Sequence, residues 1–268
     1  MIRLSPYDPE IEAVWRALVA ANARSVAIVA ADPGEGTTLL AGAIARRAGL
    51  SSPARDLALR EASRVFTVDR RAGPARGTPA MPADGAARGP DGRVLPGLLV
   101  DLNLTRPAVS RLLGLRPRPG EIIRLEALGL AVLGDPGVDG ADGWREPAMI
   151  SARLVGWRQQ WSMVVFDTAP LRSREEGALS AVTVAQAADA TILVTLAGRT
   201  PASHIREARD ALTTAGARLI GTVLNDRDNP SLLSEMERET DRFSPLFPRL
   251  MAGLRRRMRS SALLGVRV

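Results

Sequence analysis

SVAIVAADPGEGTTLLAGAIARRAG, residues Ser25–Gly49, runs from an apolar β-branched stretch (Val26 to Ala30) through Asp32-Pro33-Gly34-Glu35-Gly36 into a run of helix formers, Thr38 to Arg47. Strand, glycine loop and helix in immediate succession are the layout of a phosphate cradle, a pattern that the rest of the chain has to support. Backbone N–H groups of such a loop point inward, and the helix N-terminus adds partial positive charge. Against the pattern G-x-x-x-x-G-K-[ST], Ala31 stands at the first glycine, Gly36 at the second and Thr38 at the hydroxyl position. Position 37, where the pattern has lysine, is Thr37. That lysine reaches the outer phosphates, so its replacement bears on chemistry.

No other lysine can take its place. All 36 basic residues of the 268-residue chain are arginine. Seven of them lie from Arg242 onward, with no acidic residue among them; the remaining 29 balance the 29 acidic residues, so the excess of +7 belongs to the C-terminal stretch. The chain has no cysteine, which excludes disulfides and thiolate metal sites and agrees with a reducing compartment. Aromatic residues make up 3%, so the core must be aliphatic. No uncharged apolar run approaches the ~18 residues of a membrane span, and the N-terminus lacks the apolar region of a signal peptide. The expected location is the cytoplasm, with any membrane contact peripheral, at the inner face of the plasma membrane.

Outward from the loop, strand and helix signals alternate. Ile11, Val14, Trp15 and Leu18 give residues 1–24 one helix with an apolar face. Residues 25–240 read as one α/β domain. Within it, Leu95–Asp101 and Met163–Asp167 are buried strands ending on carboxylates, GLLVD and MVVFD; ATILVTL and RLIGTVL are further strands, the last ending on Asn225. Helices are expected beyond Pro107, over Arg145–Gln160, over Glu175–Ala188 and over Pro201–Ala215. Residues 70–93, nine of whose 24 members are Gly or Pro, read as a flexible surface insertion. Continuous apolar strands alternating with helices predict a doubly wound, mostly parallel sheet flanked by helices, a three-layer α/β/α arrangement. In that arrangement ligands bind at the carboxyl ends of strands, where the 32–38 loop, Asp101, Asp167 and Asn225 all fall.

Two carboxylates beside a phosphate loop suit magnesium, a hard cation that keeps several waters. Thr38 would offer its hydroxyl, Asp167 would hold a metal-bound water, and Asp101 a second water or a hydroxyl nucleophile. His204, the only histidine, reads as a surface or packing residue, since no Cys or second His can share a metal with it. The four tryptophans read as core.

In these stretches the chain resembles the cytoplasmic domain of bacterial tyrosine kinases of polysaccharide synthesis, within the broader ParA/MinD class of P-loop ATPases. PGEGTT stands where that family has PGEGKS or PGEGKT, LLVDLNLTRPAVSRLLGL resembles its VDxDxRxP segment, and WSMVVFDTAPL is similar to its Walker B strand. The stretch from Asp189 to Asp226 resembles its closing strand, helix and strand. The resemblance implies ATP or ADP with Mg2+ as cofactors. It implies a nucleotide site of Pro33, Gly34, Glu35, Gly36, Thr37, Thr38, Arg106 (facing phosphate) and Asn225 (against adenine). It further implies metal contacts from Thr38, Asp101, Asn103 and Asp167, with Asp101 and Asp167 as catalytic carboxylates, and a membrane chain-length or polysaccharide co-polymerase protein as partner.

The departures are as specific. Thr37 replaces lysine, and Asn103 replaces an aspartate that would carry charge. Glu12 is followed by Trp15 and Leu18 where an E-x-x-R-x-x-R run would assemble subunits into a ring, so self-association stays an open expectation. Tyr7 is the only tyrosine, so the tyrosine-rich tail is missing. Together these predict a degenerate, pseudokinase-like regulator of exopolysaccharide or capsule synthesis or export, binding nucleotide weakly or not at all. One alternative is an active ATPase or tyrosine autokinase in which arginine replaces lysine. The other is a ParA/MinD-like positioning ATPase on membrane or DNA. Residues 241–268 form a basic stretch in which Leu250, Met251, Leu254 and Met258 oppose Arg255, Arg256, Arg257 and Arg259, the pattern of an amphipathic helix on anionic lipid. A disordered arginine-rich tail fits the same composition. No sequence-specific nucleic-acid contact is expected.

Overall fold

The computed structural model describes residues 6, 8–50, 66–68, 95–137, 144–173 and 175–226. The insertion at 70–93 and the basic stretch at 241–268 lie outside them. The chain divides into two compact units, one of Met1–Thr195 with Thr200–Asn225 and a second of Leu196–Arg199 with Asp226–Val268. The first unit carries the glycine loop and the strands around it.

The elements in chain order are α1 (Pro9–Ala20), β1 (Ser25–Ala30), α2 (Thr37–Ala48), β2 (Phe66–Val68), β3 (Gly97–Asp101), α3 (Val109–Leu113), β4 (Ile122–Leu125), β5 (Leu130–Leu133), α4 (Pro147–Trp157), β6 (Val164–Asp167), α5 (Ala181–Ala187), β7 (Ala190–Leu196), α6 (Ala202–Thr214) and β8 (Leu219–Asn225). They build one eight-stranded sheet in the order β2-β8-β7-β1-β6-β3-β5-β4. The central pairs β7–β1, β1–β6, β6–β3 and β3–β5 are parallel; β2 on β8 and β4 on β5 are antiparallel.

Strand alternation explains the layering. Val26 and Ile28 of β1 join a cluster with Ile11, Trp15 and Leu18 of α1 and with Leu40 and Ile44 of α2. Ala27 and Val29 join a second cluster with Ile150 and Leu154 of α4, Val184 of α5 and Leu212 of α6. Successive side chains of one strand thus serve opposite faces, which is why β1, β3, β5, β6 and β7 are buried along their whole length and read as unbroken apolar runs. The architecture is a three-layer α/β/α sandwich.

One expected boundary moved. The helix at 175–188 is confined to Ala181–Ala187, because Gly177 adopts φ 83° in a turn and the Ser180 hydroxyl caps the helix by accepting from Thr183 N. The helix at Pro201 begins with that proline in an extended conformation, with no side-chain cap; the Thr200 hydroxyl instead donates to the Glu35 carboxylate. On α3, Val109 is buried but Leu112 and Leu113 are exposed. The tryptophans do pack: Trp15, Trp144 and Trp161 are buried, with Arg47, Arg153 and Arg124 guanidinium groups over their respective rings.

Glu12 is occupied within its own chain. Its carboxylate forms a two-point ion pair with the Arg47 guanidinium, and both side chains are largely shielded. Removing one member leaves the other buried and unpaired. Glu12→Gln is therefore expected to cost about 3 kcal/mol in denaturant titration at pH 7, whereas a residue serving only subunit contacts would leave monomer stability unchanged.

Candidate functional site

Parallel order places the ends of β1, β6 and β3 on one rim. Asp101 and Asp167 are register partners at the ends of β3 and β6, and the loop 31–36 leaves β1 beside them.

The loop is braced from behind by its own glutamate. Glu35 is 2% exposed. Its Oε2 accepts from Ala31 N (2.8 Å) and Asp32 N (3.2 Å), and its Oε1 accepts from Thr200. Asn225 Nδ2 donates to the Glu35 carbonyl at 2.8 Å, which ties the end of β8 to the loop. Gly36 precedes α2 with φ 96°, and a Cβ there would stand 2.6 Å from Asn225 Nδ2. Only glycine meets both conditions. Thr37 and Thr38 then open α2.

Both threonines stand by Asp167. Thr38 Oγ1 donates to Asp167 Oδ2 at 2.6 Å, and Thr37 lies near enough to favour the charged carboxylate. Asp167 Oδ1 is buried and has no hydrogen-bond partner. Burial pushes this carboxyl up to about 7; the Thr38 bond opposes, the charge of Asp101 raises it further, and Thr37 opposes again. Asp101, 1% exposed, is pushed up to about 6 by burial, against the pull of backbone N–H groups. Those groups are Asn103 N on Oδ1 (3.1 Å), and Ala108 N and Val109 N on Oδ2 (3.0 Å each). Asp101 thus holds the turn that leads into α3. Asn103 Oδ1 accepts from Thr105, and the Arg106 side chain is an exposed partner of Glu175 at 2.5 Å.

Magnesium fits the residues present. A buried, unpartnered carboxylate oxygen beside a threonine hydroxyl is an incomplete oxygen donor set that a cation with its waters would complete. Among the described residues no three His, Cys, Asp or Glu side chains gather into a metal cage.

A second cluster at the loop was not legible from the sequence. His204 Nδ1 lies 2.6 Å from Asp32 Oδ2, and Arg172 Nε lies 3.4 Å from Asp32 Oδ1. Arg172 also pairs with Glu207. The arginine is anchored by its own backbone, since Leu171 N and Arg172 N donate to the carbonyls of Ala30 and Ala31 (2.9 and 3.2 Å). The signal that could have found it is topological. With β7 beside β1, the start of the helix after β7 must pass the loop after β1, and His204 and Glu207 share one face of α6 at i, i+3 spacing.

No protein-family model matches the chain, and no curated relative does. Solved structures do. The kinase domain of VpsO superposes with TM-score 0.55 at 19% identity, over 81% of this chain and 93% of that one. The kinase domain of the Escherichia coli tyrosine kinase ETK gives 0.53 at 15%, over 82% and 74%. The BceF tyrosine kinase domain gives 0.52 at 18%, over 82% and 76%. At these identities the likeness is one of fold.

Proposed function

We propose that this chain is a nucleotide-binding, tyrosine-kinase-like P-loop protein that regulates the synthesis or export of an extracellular polysaccharide, with its phosphoryl-transfer chemistry impaired. The observation that carries the reading is the Thr38–Asp167 contact with its unpartnered Oδ1. The magnesium half of a phosphate site is kept, while the lysine half is replaced by Thr37.

Each residue has its own part. Backbone N–H groups of the Gly34–Thr38 segment receive phosphate oxygens at the start of α2. Glu35 and Asn225 hold the loop in shape. Thr38 and Asp167 would hold Mg2+, which when bound supplies positive charge to the phosphates. Asp101 keeps three backbone N–H groups on its oxygens, so it positions the β3–α3 turn more than it offers a base. Losing one preorganised donor to developing charge costs roughly 10²–10³-fold in rate, while binding through amides and metal survives.

The polysaccharide role and a membrane co-polymerase partner rest on the motif resemblance and on the kinase folds above. Peripheral attachment through Arg255, Arg256, Arg257 and Arg259 belongs to the same proposal. Among the described residues no helix is long and apolar enough to cross a membrane.

Calorimetry with Mg-ATP on the full chain, and turnover in the same sample, test the reading. The expected result is saturable binding that weakens in Asp167→Ala, with turnover at background. Turnover above background that disappears in Asp167→Ala would overturn the impairment. Absence of binding at millimolar nucleotide would overturn the nucleotide site itself.

A further inference from the structure

We infer that Arg172 is the cation that serves the loop in place of the missing lysine, and that Asp32, His204 and Glu207 hold it in reserve. The inference rests on the nucleotide-loop reading and adds the residue that reading lacks.

Position comes first. Arg172 follows β6 by five residues and is pinned by backbone hydrogen bonds to Ala30 and Ala31, the last residue of β1 and the first of the loop. Its guanidinium already reaches the loop at Asp32. A side chain fixed at its base and 39% exposed at its head can change partners without moving the backbone. Arg106, the arginine that the motif resemblance favours, is paired with Glu175 instead.

The partners then make release easy. The Arg172–Asp32 contact is long at 3.4 Å, and Glu207 is 60% exposed, so both are weak holds. If Arg172 leaves, Glu207 returns to water. Asp32 is not stranded, because His204 remains on its other oxygen at 2.6 Å. A phosphate offers the guanidinium a doubly charged, bidentate acceptor, a stronger partner than an exposed carboxylate. The resting cluster therefore keeps the cation beside the loop, and an incoming nucleotide phosphate competes it away from Glu207 and Asp32. Here His204 is a positioning residue that acts through Asp32.

The test is a double-mutant cycle read as Mg-ADP affinity by calorimetry on the full chain. Arg172→Gln is expected to weaken binding about tenfold, the worth of one charge-assisted hydrogen bond. Glu207→Gln is expected to tighten it about threefold by freeing Arg172, and to do nothing in the Arg172→Gln background. His204→Ala is expected to weaken binding about threefold, because Asp32 then holds Arg172 alone. An equal gain from Glu207→Gln with and without Arg172 would mean a bulk charge effect and overturn the inference, as would unchanged affinity in Arg172→Gln; both leave the nucleotide reading standing. If Arg172→Gln does not fold, the opposite signs expected of Glu207→Gln and His204→Ala decide it, and equal signs overturn it. Absence of Mg-ADP binding in wild type and in Glu207→Gln alike removes the nucleotide reading, and the inference with it.

Discussion

Asp167→Asn is expected to stabilise the metal-free protein at pH 8 by on the order of 3 kcal/mol while removing the magnesium dependence of nucleotide binding. The sign follows from burial. In the folded chain the Asp167 carboxyl sits at about 7 against an ordinary value of 3.8. Between those values the folded state holds a proton that the unfolded state has lost, so stability falls as pH rises from about 4 to about 7. Above pH 7 the folded protein bears the full cost of a buried carboxylate with one unpartnered oxygen. Asparagine carries no charge to bury, and its amide oxygen still accepts from Thr38. The gain should thus be large at about pH 8 and small at about pH 5, where the native carboxyl is itself neutral. Thermal melts of both proteins at the two pH values check this. A pH-independent difference, or a loss of stability at the higher pH, would refute it. Asp101 adds the same sign of dependence over a narrower window, from about 4 to about 6. On the proposed reading magnesium would drive the proton off Asp167, so Mg-nucleotide affinity should climb with pH through about 7.

Why the sequence showed some of this and not the rest is a matter of range. The strands MVVFD and GLLVD were legible because burial on both faces writes a continuous apolar run, and a terminal carboxylate marks its carboxyl end. The loop was legible because Gly34 and Gly36 need positive φ, 84° and 96°. The antiparallel edge strand β4 was not foreseen, since Ile122–Leu125 is short and only half buried, with little alternation to read. At the opposite rim, Arg24 is 7% exposed and donates to the carbonyls of Arg158, Trp161 and Ser162, while its own N–H reaches Asp189, which pairs with Arg158. That staple closes the amino ends of β1, β6 and β7 through groups more than 130 residues apart in sequence. Nothing local to Arg24 announces it. The contact of His204 with Asp32 was hidden for the same reason. A lone histidine on a helix is bland until topology brings it to Asp32. Arg106, conversely, carried a local motif and is paired, itself exposed, with the half-buried Glu175.

The second large effect concerns Thr37. Thr37→Lys should raise Mg-ATP affinity at least tenfold and turnover by about 10²-fold, because it returns to a preorganised loop the donor whose loss is worth about that much. The geometry favours it. Position 37 opens α2 beside Asp167, so an ammonium there would stand near a carboxyl that burial holds up at about 7. Opposite charge favours its ionised form, which prepares the site for metal as well as phosphate. Thr37→Gln, similar in length to lysine but uncharged, should gain nothing. The gain should vanish in Thr37→Lys with Asp167→Ala, since lysine alone cannot replace the metal. It should also relieve Arg172: with lysine on the phosphates, Arg172→Gln should cost much less than in the wild-type loop, a coupling that a purely structural Arg172 would not show. A folded Thr37→Lys protein with unchanged affinity would mean that the loop no longer presents its amides to phosphate, and that Thr37 was one loss among several rather than the deciding one.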